Sequence, residues 1–326
     1  MIPRRRVAGN LDGQQNRRRV IHIPPSSPQL TNPTPVDLAI PVDWPRGRPP
    51  GRVGAARGQE AAPGTGEVVQ GMAKAGDGVR VAYQVAGGGP ALILLAGQAN
   101  SHHWWDGVRE DFEATRTTIT IDYRGTGDSD KPRDAYSTEI FAGDVVAVLD
   151  DLGVDRADVY GTSMGGRVAQ WLAARHADRV DALVLGCTSP GGAHGFERGA
   201  DVRKALGQLD QRAARRALLE LMYTPGWLAN HPGPYQTLGD PRMPPFARKG
   251  HLLASDRHDA WAVLPDITAR TLVLHGGNDR FNPTANAELV AGRIPGAVAH
   301  IIPGTRHAYF EEFRAVAGPL VVEFLG

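Results

Sequence analysis

Residues 158–166 read DVYGTSMGG, a short apolar run that ends in three glycines gathered around one serine. Gly161, Ser163 and Gly165 match the pattern GxSxG, in which a serine is forced onto a tight strand-to-helix turn and its Oγ projects above a sheet. A strained serine backbone needs neighbours without bulk, and glycine two residues away on either side supplies them. The flanks provide the required context. ADVYG (157–161) reads as a strand, and Val168, Trp171, Leu172 and Arg175 give the following segment helical spacing. An ordinary glycine-rich turn is one competitor, and it lacks a reason for that context. Gly161 to Gly166 also fits the GxxxxG part of a phosphate-binding loop, but Arg167 and Val168 stand where Lys and Ser or Thr belong. The phosphate cation and the magnesium ligand are therefore both missing.

Working outward, the chain from about residue 79 alternates short β-branched or Leu-rich runs with helical patterns. VRVAYQV (79–85) alternates at period two, and ALILLAG (91–97) is continuously apolar, as a strand covered on both faces should be. TTITIDYRG (117–125), ADVYG, ALVLGC (182–187), TLVLHGG (271–277) and VAHIIPG (298–304) follow. Between them STEIFAGDVVAVLDDLG (137–153) places Ile140, Phe141, Val145, Val148 and Leu149 on one helical face and stops at Gly153. Strands alternating with helices predict an α/β fold with a mainly parallel sheet covered on both faces. After the sixth strand the rhythm breaks. Residues 191–263 are helical and then Pro-rich, with no convincing buried strand, and carry Tyr223, Trp227, Tyr235, Phe246 and Trp261. A plain surface excursion competes with a helical cap or lid, which the aromatics favour. The predicted organisation is a tail at 1–66, core segments at 67–190 and 264–326, and the cap between them.

A lone serine is a poor nucleophile at neutral pH, so the motif requires a histidine to take its proton and a carboxylate to orient that histidine. With this elbow the chain order must be Ser, acid, His. Asp279 follows TLVLHGG and His307 follows VAHIIPGTR, each just past the carboxyl end of a strand. Other candidates fit less well: His300 lies within the last strand, His275 is expected to brace the acid turn, Asp266 precedes its strand, and Asp128 is expected to make local turn hydrogen bonds. The oxyanion donors should be the backbone N–H groups of Met164 and of Gln98, the latter in the loop after ALILLAG. Trp104, Trp105, Tyr223, Trp227 and Trp261 are candidate pocket residues, although for the adjacent tryptophans 104 and 105 anchoring of the next helix is the favoured reading. His102 and His103 cannot both face one site and lack a third ligand, so no metal is expected.

The bulk properties limit the partners. The 326 residues are 41% hydrophobic and 22% charged with net charge +1, which gives no reason to expect nucleic acid. The charge is unevenly placed. Residues 1–66 hold 10 Arg, no Lys, 4 acidic residues and 11 of the 25 prolines, and the remainder holds 26 basic against 31 acidic residues. The tail lacks apolar periodicity and is expected to be disordered. Ordered sequence is expected from Met72, where translation is hypothesised to begin. The tail offers no signal-peptide apolar stretch, and nothing reaches the roughly 18 apolar residues of a membrane span, so a cytoplasmic protein acting on a small molecule is expected. Self-association is left open. The single cysteine, Cys187, excludes an intrachain disulfide and reads as a buried thiol.

Together DYRGTGDSDKP (122–132), YGTSMGGRVAQWLAARHADRVDALVLGCTSP (160–190), LVLHGGNDRFNPTAN (272–286) and IPGTRHAYFEEF (302–313) resemble, in order, the landmark segments of the α/β-hydrolase superfamily. The resemblance covers residues 72–326. Within it the chain is similar to capped hydrolases grouped with 3-oxoadipate enol-lactonases and aclacinomycin methylesterases. That resemblance implies the α/β-hydrolase fold, a Ser163, Asp279, His307 triad, no cofactor, and cleavage of an ester or lactone, while the aromatic-rich lid suggests a medium-sized apolar or cyclic substrate. Carbon–carbon hydrolases of ring-cleavage products share the layout, and a binding protein with little turnover is the alternative from another class. One departure stands out. Many members carry His-Gly after the third strand, where this chain has Ala96-Gly97-Gln98, which puts the packing of that loop in question.

Overall fold

The computed structural model describes residues 68–133 and 136–326. The expected disorder of residues 1–66 lies outside the described residues. Eight strands form one sheet: β1 (Val69–Lys74), β2 (Arg80–Gly87), β3 (Ala91–Leu95), β4 (Thr117–Ile121), β5 (Ala157–Thr162), β6 (Val180–Gly186), β7 (Arg270–Gly276) and β8 (Val298–Ile302). Their order is β1-β2-β4-β3-β5-β6-β7-β8. β2 runs antiparallel to β1 and β4, and every other pairing is parallel. This is the α/β-hydrolase fold. The central strands explain themselves: all residues of β3, β4 and β5 are buried, because helices cover both faces of a parallel sheet.

The helices are α1 (Glu110–Glu113), α2 (Thr138–Asp151), α3 (Met164–Arg175), α4 (Ala200–Leu206), α5 (Gln211–Met222), α6 (Pro225–Asn230), α7 (Pro245–Asp256), α8 (Ala285–Arg293), α9 (Tyr309–Glu312) and α10 (Arg314–Leu325). α2 starts where Ser137 accepts a hydrogen bond from the Ile140 N–H at 3.0 Å, and it buries Phe141, Val145, Val148 and Leu149. Ile140 is only half-buried.

β1 corrects the expectation that order begins at Met72. It starts three residues earlier and pairs Val69 with Val85 and Gly71 with Tyr83. Gly71 is what the pairing needs, since a Cβ there would stand 2.1 Å from the Tyr83 ring.

Four helices, α4–α7, occupy the excursion between β6 and β7, and among the described residues it contains no strand. Its two ends meet: Gly191 bridges to Asp259, and the Ala260 N–H donates to the Pro190 carbonyl at 2.9 Å. Between those ends the excursion is tied to loops at the carboxyl edge of the sheet. Asp240 takes the Gly127 N–H at 2.6 Å, His251 contacts the Arg124 carbonyl at 2.8 Å, and the Ala308 N–H donates to the Met222 carbonyl at 2.8 Å. Glu311 and Glu312 reach back to the hydroxyls of Tyr223 and Thr224.

Candidate active site

Ser163 stands between β5 and α3 with φ 56° and ψ −119°. A residue with a Cβ holds such a backbone only at a cost of about 1–3 kcal/mol, which the surroundings must impose. They do so by close approach. A Cβ on Gly161 would lie 2.3 Å from the Gly165 carbonyl oxygen, and one on Gly165 would lie 2.1 Å from the Leu95 carbonyl oxygen. The two glycines therefore let α3 start directly against the ends of β3 and β5. The Ser163 N–H donates to the Gly186 carbonyl at 2.8 Å, and the Ser163 carbonyl accepts from Thr188 Oγ1 at 2.8 Å.

Asp279 sits in the turn after β7 and His307 in the loop after β8, with His307 Nδ1 2.7 Å from Asp279 Oδ2. The other carboxylate oxygen, Oδ1, accepts the N–H groups of Phe281 at 2.8 Å and Asn282 at 2.9 Å. His275 braces the acid as expected: its Nε2 lies 3.3 Å from Asp279 Oδ2 and 2.9 Å from the Asn282 carbonyl. Burial by itself would raise the Asp279 pKa. The electrostatic pull and hydrogen bonds of His307 and His275 outweigh it and hold the carboxyl at about 2. An ionised carboxylate can only accept, so the hydrogen-bond network assigns the proton between the two groups to His307 Nδ1. Nε2 is thereby left as the basic nitrogen. It is buried and makes no hydrogen bond among the described residues.

The pair and the serine are one strand apart. β6 lies between β5 and β7, and its last residue, Gly186, pairs with Thr162 on one side and Leu274 on the other. Asn282 crosses that gap with its Nδ2 on the Cys187 carbonyl at 2.6 Å. The structure thus brings His307 and Asp279 into contact and places Ser163 at the end of β5, with β6 between it and the strand that carries Asp279. His307 Nε2 makes no hydrogen bond to the serine hydroxyl. Ser163 is 6% exposed and His307 1%, so water reaches neither freely.

Met164 is the first residue of α3, whose N–H has no intrahelical acceptor. The Gln98 N–H also has no acceptor among the described residues. Trp104 packs against the loop that carries Gln98. Its indole lies under Gly97, where a Cβ would come within 2.5 Å of the ring, and its Nε1 donates to Thr162 Oγ1 at 2.9 Å. Phe310 stacks on it at 5.2 Å.

The expected pocket residues divide. Trp105 is fully buried between Tyr160 and Phe310, with ring centroids 5.1 and 5.5 Å away, so it anchors the core and lines no pocket. Tyr223 is fully buried as well. Its ring stacks on Trp227 at 4.2 Å and its hydroxyl meets Thr237 Oγ1 at 2.6 Å. Trp261 is taken up by His194, stacked at 4.3 Å, and by the Arg293 guanidinium at 4.9 Å. His102 Nδ1 pairs with Asp122 at 2.8 Å and His103 Nδ1 with Asp106 at 2.7 Å. Asp128 joins its local turn through its N–H, which donates to Asp122 Oδ2 at 2.9 Å, while its carboxylate takes Arg242 of the excursion at 2.9 Å. Two contacts had no signal in the sequence. Phe281 packs edge-on against the His307 ring at 4.8 Å, and His251 of α7 reaches the Ala99 N–H at 3.3 Å across 152 residues.

Residues 90–313 match the family model described as alpha/beta hydrolase fold. The chain belongs to the α/β-hydrolase family. A 2-hydroxymuconate semialdehyde hydrolase of Pseudomonas sp. is 29% identical over 265 residues, which is 76% of this chain and 91% of the relative. Among solved structures, an N-acyl homoserine lactone degrading enzyme is 30% identical with TM-score 0.65, covering 78% of this α/β hydrolase and all of that chain (100%). The enol-lactonase of Burkholderia xenovorans LB400 shares the fold with TM-score 0.68 at 24% identity, over 78% and 99% of the two chains. With uncharacterized mycobacterial relatives, the match is 34% identical over 144 residues and spans 41% of their length.

Proposed function

We propose that this hydrolase cleaves a carboxylic ester or lactone through an acyl-enzyme on Ser163, with His307 as base and Asp279 as the group that orients it. One observation carries the proposal: His307 Nδ1 is bound by Asp279, so Nε2 is the basic nitrogen, buried and unpartnered, one strand from a serine held in a strained turn. As Ser163 Oγ attacks the carbonyl carbon, its proton passes to Nε2. The carbonyl oxygen takes the negative charge, facing the N–H groups of Met164 and Gln98. Collapse breaks the bond to the leaving oxygen, which receives the proton from Nε2. A water then repeats the sequence, giving its proton to Nε2 and releasing the acid and free Ser163. From a lactone the leaving oxygen stays tethered, and the product is a single hydroxy acid.

In the same proposal residues 191–263 form a lid over the core segments 67–190 and 264–326, with Tyr223 and Trp227 on its inner side. A medium-sized apolar or cyclic substrate fits such a lid, and the triad chemistry needs neither metal nor cofactor. Similarity to a lactone-degrading enzyme favours the oxygen ester class. Similarity along most of a 2-hydroxymuconate semialdehyde hydrolase favours a second reading, hydrolysis of a carbon–carbon bond by the same residues. A panel of p-nitrophenyl esters, lactones and vinylogous diketo acids separates them. The first proposal expects turnover of esters or lactones, abolished in Ser163→Ala, and fails if only the diketo acids are cleaved. No helix among the described residues is long and apolar enough to cross a membrane. A cytoplasmic location is part of the proposal.

A further inference from the structure

Ala99, next to Gln98, has φ 59°, a left-handed backbone that a residue with a Cβ adopts only when its surroundings impose it. The restraints come from the helical excursion. The Ala99 N–H donates to His251 Nδ1 at 3.3 Å, and the Ala99 carbonyl accepts from the Asp240 N–H at 2.7 Å. Asn100 adds a third tie, with its Oδ1 accepting from the Gly239 N–H at 2.8 Å and its Nδ2 donating to the Gln98 carbonyl at 2.8 Å. Both polar ends of the Gln98–Ala99 peptide are thereby occupied. The preceding N–H, that of Gln98, is the one left without an acceptor among the described residues.

His251 is suited to hold this peptide in one orientation only. Its Nε2 lies 2.8 Å from the Arg124 carbonyl, which can only accept, so Nε2 carries the proton and Nδ1 presents a lone pair to Ala99. The ring is fully buried and boxed by Phe141 at 4.9 Å, Tyr136 at 5.6 Å and Tyr123 at 6.2 Å. Burial pushes its pKa down to about 4, against the opposing pull of the Arg124 carbonyl, so the ring is neutral and accepting at neutral pH.

We propose that His251 is a positioning residue: by accepting the Ala99 N–H it fixes the direction of the Gln98 N–H toward the oxygen of the reacting carbonyl. The inference rests on the Ser163 acylation proposed above, and it makes α7 part of the catalytic apparatus as well as of the cover.

The test is steady-state hydrolysis of p-nitrophenyl butyrate by the full chain, with melting temperatures measured alongside. In His251→Asn the side-chain oxygen can take the place of Nδ1 and keep the Ala99 bond. In His251→Gln the amide reaches the Nε2 position and leaves Ala99 without its acceptor. The expected result is kcat within about threefold of wild type for Asn and lower by about 10- to 100-fold for Gln, with KM nearly unchanged in both. Equal kcat in the two variants, or losses that appear in KM or follow the melting temperature, would overturn the proposal. A second measurement does not depend on the variants folding: ring 15N shifts of His251 in the wild-type protein should place the proton on Nε2, and a proton on Nδ1 overturns the proposal. If the wild-type protein forms no acyl-enzyme on Ser163, the earlier reading fails and takes this one with it. That outcome is distinguishable because wild type and variants are then equally inactive.

Discussion

A carboxyl group sealed from water is ordinarily driven to protonate, and Asp279 is held ionised chiefly by the histidines around it, with the Phe281 and Asn282 N–H groups on its other oxygen. Its folded pKa lies below the unfolded value of 3.8. Its contribution to stability is therefore present above 3.8 and is lost as pH falls toward about 2. The stability difference between wild type and Asp279→Asn, measured by urea unfolding, should shrink between pH 4 and pH 2, and a constant difference would contradict the assignment. At neutral pH the same variant should lower kcat by about 10⁴-fold through the wrong imidazole tautomer. His102 behaves with the opposite sign. Burial lowers its pKa, but the hydrogen bond and charge of Asp122 raise it further, to a net value above 6.5. Its contribution is full below pH 6.5 and fades as pH rises through the folded value, so His102→Gln should be more destabilising at pH 6 than at pH 9. Ser163, Asp279 and His307 could be singled out from sequence because each follows an apolar strand and sits among turn residues. His251 could not, since its partner lies 152 residues away and only the docking of α7 brings them together. For Trp104 and Trp105 the sequence left pocket lining open beside the favoured anchoring role, and both indoles turn into the core.

At the scale of elements, the elbow depends on how closely α3 approaches β3. Gly165→Ala would place a methyl group 2.1 Å from the Leu95 carbonyl oxygen, against backbone that cannot swing aside. The expected loss is about 3 kcal/mol or more, read as a lower urea midpoint, and an unchanged midpoint would mean that the two elements are not packed this way. The buried strands β3 to β7 were legible as β-branched or apolar runs because both of their faces are covered. β1 was not. It is an edge strand with alternating half-exposed residues and a glycine opposite Tyr83, a pattern too weak to separate from a loop. The excursion was legible as helical from its composition, but not its ties to the loops after β3, β4 and β8, which join residues far apart in sequence.

For the molecule as a whole, the edge strand makes a prediction about which residues before Met72 the fold uses. A chain beginning at Met72 loses the pairings of Val69, Gln70 and Gly71 with Val85, Gln84 and Tyr83. It should melt a few degrees below one beginning at Glu67, since about 1 kcal/mol moves Tm by roughly 2–4 °C at this size, and equal Tm values would show that those pairings contribute nothing. The proposed chemistry is a property of the same large-scale assembly, because the loops after β5, β7 and β8 must deliver three side chains to one place. Reaction of the full chain with a fluorophosphonate, followed by peptide mass analysis, tests that convergence most directly. A single adduct is expected on Ser163, forming rapidly in wild type, at least about 10³-fold more slowly in His307→Ala, and not at all in Ser163→Ala. A folded wild-type protein that stays unlabelled, carries its adduct elsewhere, or reacts equally fast without His307 would contradict it.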